Sequence, residues 1–191
     1  MHDFDQAYYK RYYEDEATQA VSPEEQQNLA AFVAAYLRYL GVPVNSILDV
    51  GCGIGQILQA LHAEFPEAEI HGVETSAYLC ARYGWEQGEV QHYRSEPHDL
   101  VICNDVLGYL SKKDARKAVK NLARLTESAL YLSVLTDEDM DICDTDLTDL
   151  NQKVRPIAWY RALLSKHFVA VGGGLFLKKP LAYPVWQMER S

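Results

Sequence analysis

Read by polarity alone, the chain alternates short apolar runs with stretches whose apolar residues return every three or four positions. Leu29, Phe32, Val33, Tyr36, Leu37 and Leu40 recur at helical spacing. Ser22-Pro23-Glu24-Glu25 supplies the start of that helix: a serine cap, proline at the first position and glutamate at the third. Gly41-Val42-Pro43 ends it. Residues 46–50 then read as a short buried strand, 51–55 as a glycine-rich turn, and about 56–64 as a helix. A strand at 69–74, a short helix from Ser76, a weak strand at 90–93 and a firmer one at 100–104 continue the alternation. Ser111 caps a further helix, with Asp114 at its third position and Ala115, Ala118, Val119, Leu122 and Leu125 along one face. Beyond it come a strand at 129–135, an acidic loop at 136–149, a helix around 157–166, and two strands, 168–171 and 175–177. The turn Gly172-Gly173-Gly174 makes those last two a terminal hairpin.

Repeated strand–helix units imply an α/β fold, a mostly parallel sheet covered by helices on both faces. The 191 residues suffice for one such domain and leave no room for a second. The expected organisation is a helical cap or lid over 1–43, a core over 44–180 and a tail over 181–191.

The 27 acidic residues outnumber the 18 lysines and arginines, a formal charge of −9. The resulting field opposes nucleic acid and anionic lipid surfaces. Cys52, Cys80, Cys103 and Cys143 form neither a metal-binding pair nor a disulfide framework. No membrane span and no signal-peptide pattern stand out, so the expected location is cytoplasmic.

The chemistry concentrates at Leu48-Asp49-Val50-Gly51-Cys52-Gly53-Ile54-Gly55. Glycines at the carboxyl end of a first strand let backbone approach a ligand where doubly wound folds present their crevice. Glu74, 19 residues beyond Gly55 and at the end of the second strand, can accept both hydroxyls of a ribose. A dinucleotide fingerprint has G-x-G-x-x-G/A, whereas here Gln56 occupies the sixth position. Asp49, immediately before the turn, is poorly placed to face a pyrophosphate. It can organise the loop or reach, through water, the ammonium of an amino-acid moiety. These features favour S-adenosylmethionine (SAM) over a dinucleotide.

LDVGCGIG at 48–55, HGVETS at 71–76 and DLVICNDVLGYL at 99–110 resemble the first, second-strand and fourth-strand motifs of the class I SAM-dependent methyltransferase family. The resemblance covers roughly residues 44–178. It implies a single Rossmann-like domain, a seven-stranded sheet with an antiparallel last strand, and SAM as cofactor. By that resemblance Gly51, Cys52 and Gly53 pass the homocysteine part, Glu74 holds the ribose hydroxyls and Thr75 lies beside the adenosine. Asn104, Asp105 and Val106 line the methionyl end. The family's acid after the third strand has no clear equivalent beyond 90–93; Ser95 or Glu96 stands nearest.

The acceptor side carries fewer signals. Tyr8-Tyr9-Lys10-Arg11-Tyr12-Tyr13 is compatible with a lid, in which Arg11 pairs with the methionyl carboxylate, or with an amphipathic helix packed on the domain. Asp105, Tyr109 and His92 are candidates to orient an acceptor, and none is singled out as a catalytic base. The acids between Asp137 and Asp149 do not have calcium-loop spacing and read as a solvated surface, or as a site for a cationic acceptor. Trp159 reads as a buried anchor of the last helix. The leading expectation is methyl transfer to a small molecule, with no metal. Alternatives are a protein methyltransferase and a non-catalytic SAM-binding or interaction protein; oligomeric state stays open.

Overall fold

The computed structural model describes residues 22–144, 148–149 and 151–185. Helix α1, Pro23–Leu40, begins as its sequence dictates. The Ser22 hydroxyl accepts from the Glu25 amide at 3.2 Å, and the Glu25 carboxylate accepts from the Ser22 amide at 2.7 Å. Gly41, in the left-handed region at φ 71°, closes it. The chain continues through β1 (Ser46–Val50), α2 (Gln56–Glu64), β2 (Glu69–Glu74), α3 (Ala77–Tyr83), β3 (Glu86–Gln87) and β4 (His98–Asn104). A 3-10 turn at Leu107–Tyr109 leads into α4 (Lys112–Leu125), which passes without a break into β5 (Thr126–Ser133). Helix α5 (Ile157–Leu164) and strands β6 (Phe168–Gly172) and β7 (Leu175–Lys178) follow.

The seven strands lie in the order β3-β2-β1-β4-β5-β7-β6. Every pairing from β3 to β5 is parallel, and β7 runs antiparallel to both its neighbours, as the terminal hairpin requires. Alternation along the central strands sorts side chains to two faces. Leu48, Val50, Val101, Cys103, Leu130 and Leu132 pack on one side, under Ala118, Val119 and Leu122 of α4 and Tyr160 and Leu164 of α5. Ile47, Leu100, Ile102, Ala129 and Tyr131 pack on the other, against α1 and α2. The sheet is thus buried on both faces, and its ligand crevice falls beyond the ends of β1 and β4, where strand order reverses.

One strand differs from the sequence expectation. Residues 90–93 form a turn, and the third strand is the two-residue edge at Glu86–Gln87. The reason is local. His92 and Tyr93 amides both donate to the Glu89 carbonyl at 2.8 Å. The Val90 and Tyr93 carbonyls accept from the Asn121 side-chain amide at 2.7 and 2.9 Å. Backbone groups that a strand would pair across a sheet are therefore taken by a turn and by a side chain of α4. Among the described residues no helix is long and apolar enough to cross a membrane.

Candidate functional site

The glycine turn is built by close contacts on both of its sides. Gly51, Gly53 and Gly55 have φ of 83°, 54° and 83°. A side chain on Gly51 would collide with a Val106 methyl. A Cβ on Gly55 would stand 2.5 Å from the Trp85 ring, and one on Gly72 would stand 2.6 Å from it. Trp85 also donates its indole N–H to the Gly53 carbonyl at 3.0 Å. Glycine is required here because an indole and a valine occupy the space a Cβ would fill.

Glu74 ties this turn to β2. Its Oε2 accepts from the Gly53 amide at 2.9 Å, while Oε1 accepts from the amides of Thr75 and Ser76 at 2.7 and 2.9 Å. Gly51, Gly53, Glu74 and Thr75 line one wall of a cavity of about 690 Å³, counted with its open mouth, and Asn104, Asp105 and Val106 line the other. A smaller hollow adjoins it, lined by Asp49, Gly51, Cys52, Gly53 and Asn104 together with Gln26 of α1. Asn104 borders both, its Oδ1 accepting from the Ser133 hydroxyl. The residues expected from sequence thus converge on one crevice, except Arg11. Arg11 and the tyrosines from Tyr8 to Tyr13 lie outside the described residues, as does Trp186.

The carboxyl groups of Asp49, Glu74 and Asp105 dominate the electrostatics. Asp49 is 1% exposed and neither carboxylate oxygen has a hydrogen-bond partner. Burial, and then the charge of Glu74, push its carboxyl up to about 8. Asp105 is pushed up to about 6, chiefly by burial and further by Asp149, while the Gln152 amide pulls it down. Burial raises the thiols of Cys52 and Cys103 as well, so neither is an activated nucleophile at neutral pH.

Several lining residues escaped the sequence reading. With β3 at Glu86–Gln87, the residues that follow it, Gly88, Glu89, Val90 and Gln91, reach the cavity. Glu89 is the acid directly after the third strand, in the position that a strand at 90–93 leaves empty; Ser95 and Glu96 do not line the cavity. The signal in the sequence is the pair Gly88-Glu89 behind Trp85. Tyr109 and Leu110 complete the lining. His92 does not line it; its Nδ1 lies 2.9 Å from a Glu89 oxygen on an exposed turn.

The segment from Asp149 to Arg155 closes this end. Asp149 is buried, not a solvated surface acid, and accepts from the Tyr109 hydroxyl at 3.0 Å. Gln152 donates to Asp105 Oδ2 at 3.0 Å. Arg155, 4% exposed, donates to the Leu107 carbonyl at 3.1 Å, the Tyr160 hydroxyl at 2.8 Å and the Leu110 carbonyl, with Trp159 under its guanidinium. Trp159 packs at the edge of the core, partly buried.

Residues 48–128 match the family model of a methyltransferase domain. A trans-aconitate 2-methyltransferase of Pseudomonas paraeruginosa is 34% identical over 74 residues, which cover 35% of this chain and 27% of that protein. The chain thus spans about a quarter of the length of that curated relative. Among solved structures, magnesium protoporphyrin IX methyltransferase from Synechocystis PCC 6803, with S-adenosylhomocysteine (SAH) bound, superposes with a TM-score of 0.66 at 18% identity, covering 86% of each chain. Streptomyces venezuelae DesVI superposes with a TM-score of 0.65 at 18% identity, covering 94% of this chain and 100% of its own. These likenesses establish the fold.

Proposed function

We propose that this chain is a class I SAM-dependent methyltransferase, an active cytoplasmic enzyme that methylates a small-molecule acceptor. The observation that carries the reading is Asp49: a carboxylate buried at the end of β1, with both oxygens unpartnered, beside the glycine turn. Ionising such a group is costly unless a cationic donor meets it. An amino-acid ammonium in the adjoining hollow answers that requirement, so the residues present fit SAM.

In this reading Asp49, Gly51, Cys52, Gly53 and Asn104 hold the methionyl end. Glu74 receives the ribose hydroxyls, and Thr75 with Glu89 flanks the base. Asp105 and Val106 form the wall where cofactor and acceptor meet. SAM, when bound, supplies a methyl group already activated on a sulfonium. The chain's task is then to align a nucleophile with that methyl and to exclude water. Val106, Tyr109 and Leu110 give the cavity an apolar and aromatic wall suited to that exclusion. The relatives named for trans-aconitate and magnesium protoporphyrin IX support a small acceptor.

Calorimetry with SAH, followed by transfer of labelled methyl from SAM to a metabolite extract, tests the reading. Saturable SAH binding and a labelled small product are expected. Absence of SAH binding, or label recovered only in protein, would reverse it.

A further inference from the structure

Asp105 stands apart from the residues assigned to the nucleoside. Its amide donates to the Ser133 carbonyl at 3.1 Å, which sets it on the β4–β5 side of the crevice. Glu74 ends β2, two strands away, on the order of 10 Å. The acidic groups divide accordingly: Asp49 feels Glu74, whereas Asp105 feels Asp149. The Asp105 end is therefore left for the acceptor.

The polar groups that line this end are the carboxylate of Asp105, the side-chain amides of Asn104 and Gln91 and the Tyr109 hydroxyl. Gln152 donates its amide N–H to Asp105 Oδ2, which fixes the orientation of that amide. Its Oε1 is then left buried without a partner beside Gly108, outside the cavity lining, so Gln152 acts on this end only through Asp105. No described residue donates to Asp105 Oδ1. The Tyr109 hydroxyl already donates to Asp149. Gln91, 9% exposed and lining the cavity, has an unpartnered Oε1 as well.

Among the described residues, cations are missing where an anionic acceptor would need them: no Lys, Arg or His lines either hollow. The two nearest basic groups of the closing segment are turned to backbone: Lys153 to the Tyr109 carbonyl at 2.8 Å, Arg155 to those of Leu107 and Leu110. A carboxylate such as trans-aconitate would meet Glu74, Glu89 and Asp105 without compensation from any described residue. The family match ends at residue 128, before the closing segment with Gln152 begins.

We propose that the acceptor is a cationic amine, bound through its ammonium group by the carboxylate of Asp105 and methylated on nitrogen, with Gln152 as the residue that positions that carboxylate. The proposal rests on the reading of the chain as a SAM-dependent methyltransferase. One N–H proton of the ammonium passes to Asp105, freeing the nitrogen lone pair. That pair forms the bond to the methyl carbon as the carbon–sulfur bond of SAM breaks, its electrons staying on sulfur. The products are the N-methylammonium ion, SAH and one proton, which Asp105 releases to water. A carboxyl held near 6 exchanges that proton readily at neutral pH. Val106, Leu110 and the ring of Tyr109 would meet the apolar skeleton of the amine.

The test uses the full chain saturated with SAH and three probes of one shape: cyclohexylamine, cyclohexanol and cyclohexanecarboxylate. SAH affinity is measured first, by calorimetry, on every variant. Cyclohexylamine is expected to bind saturably, at least tenfold more tightly than the other two. Asp105→Asn, a residue that tolerates the left-handed φ of 55° found there, should weaken the amine at least tenfold. Amine binding should also fall as pH drops through about 6, where Asp105 takes up its proton. Asp149, Cys103 and Tyr160 are the titratable groups coupled to it. Gln152→Leu, by removing the donor that lowers Asp105, should move that midpoint upward. Equal or tighter binding of the carboxylate, undiminished amine binding by Asp105→Asn, or no amine binding by an SAH-loaded protein would overturn the proposal. Failure of the wild type to bind SAH would instead overturn the methyltransferase reading, and this one with it.

Discussion

The Gly53 amide donates to Oε2 of Glu74 at 2.9 Å, so the glycine turn after β1 and the acid at the end of β2 form one hydrogen-bonded unit. Oε1 of the same carboxylate collects the amides of Thr75 and Ser76. Glu74 therefore shapes the turn as well as facing the cavity. A loss of binding on mutation has two physical sources, and they can be separated.

Glu74→Ala removes the proposed ribose acceptor and leaves three amides without their partner. A hydrogen bond to a charged group contributes about 1.5–3 kcal/mol, so SAH binding should weaken by roughly 10- to 100-fold. Glu74→Gln keeps one acceptor oxygen for the amides but loses the charge. It should retain most thermal stability and an intermediate affinity. Titration calorimetry and melting curves on both variants check this, and unchanged SAH affinity in Glu74→Ala would remove Glu74 from the site.

Trp85 braces the opposite side of the turn. Its ring fills the space above Gly55 and Gly72, and its N–H holds the Gly53 carbonyl. Trp85→Ala should cost about 2–4 kcal/mol of stability, as large-to-small changes at packed sites do. Trp85→Phe, which keeps a ring but no donor, should cost about 1 kcal/mol. Both should weaken SAH binding by loosening Gly53. Denaturant unfolding with and without SAH reads the two effects; an alanine variant as stable as wild type would show that the turn holds without its indole.

Much of this architecture is legible in the amino-acid sequence. The run Ile47 to Val50, the glycines after it and Glu74 carry their own signals, because a strand buried on both faces must be apolar and a backbone pressed on Val106 and Trp85 must be glycine. The terminal hairpin is equally plain from its three glycines. The third strand is not. Glu86 and Gln87 are polar and exposed, a two-residue edge with no pattern to betray it. Val90 and Tyr93 imitate a strand because both are core side chains, buried under α4 through a turn. The acceptor side is hidden for another reason. Asp149 belongs to a run of acids that reads as solvated surface, yet it turns inward to Tyr109, and only tertiary contacts separate it from its neighbours.

Arg155 binds the closing segment to the turn after β4. Its planar fork spans the Leu107 and Leu110 carbonyls and the Tyr160 hydroxyl over the Trp159 ring. Lysine is a single point donor and cannot satisfy these partners together. Arg155→Lys should cost about 1–3 kcal/mol, the penalty of leaving a buried carbonyl unpaired. It should also speed amide exchange in residues 107–110 while leaving SAH affinity within about threefold, a change worth under ~0.7 kcal/mol. Hydrogen-exchange mass spectrometry checks the local effect, and unchanged protection there would show that Arg155 does not anchor the wall.

Asp49 makes stability and cofactor binding depend on pH in opposite senses. In the unfolded chain its carboxyl titrates near ~4, and in the fold it is held up to about 8 by burial and Glu74. Between those values the folded state binds more protons, so this group's contribution to stability falls as pH rises through the window. Asp49→Asn removes the cost of the buried charge. The variant should therefore melt above the wild type by at least ~5 °C at pH 8.5, with the gap closing toward pH 4. Binding an ammonium beside Asp49 favours its ionised form, so SAH association near pH 7 should release a proton in the wild type and less in Asp49→Asn. Calorimetry in two buffers of different ionisation enthalpy measures that release directly. A melting gap independent of pH, or SAH binding without proton release, would mean that Asp49 is already ionised in the free protein and that its charge is met from elsewhere in the fold.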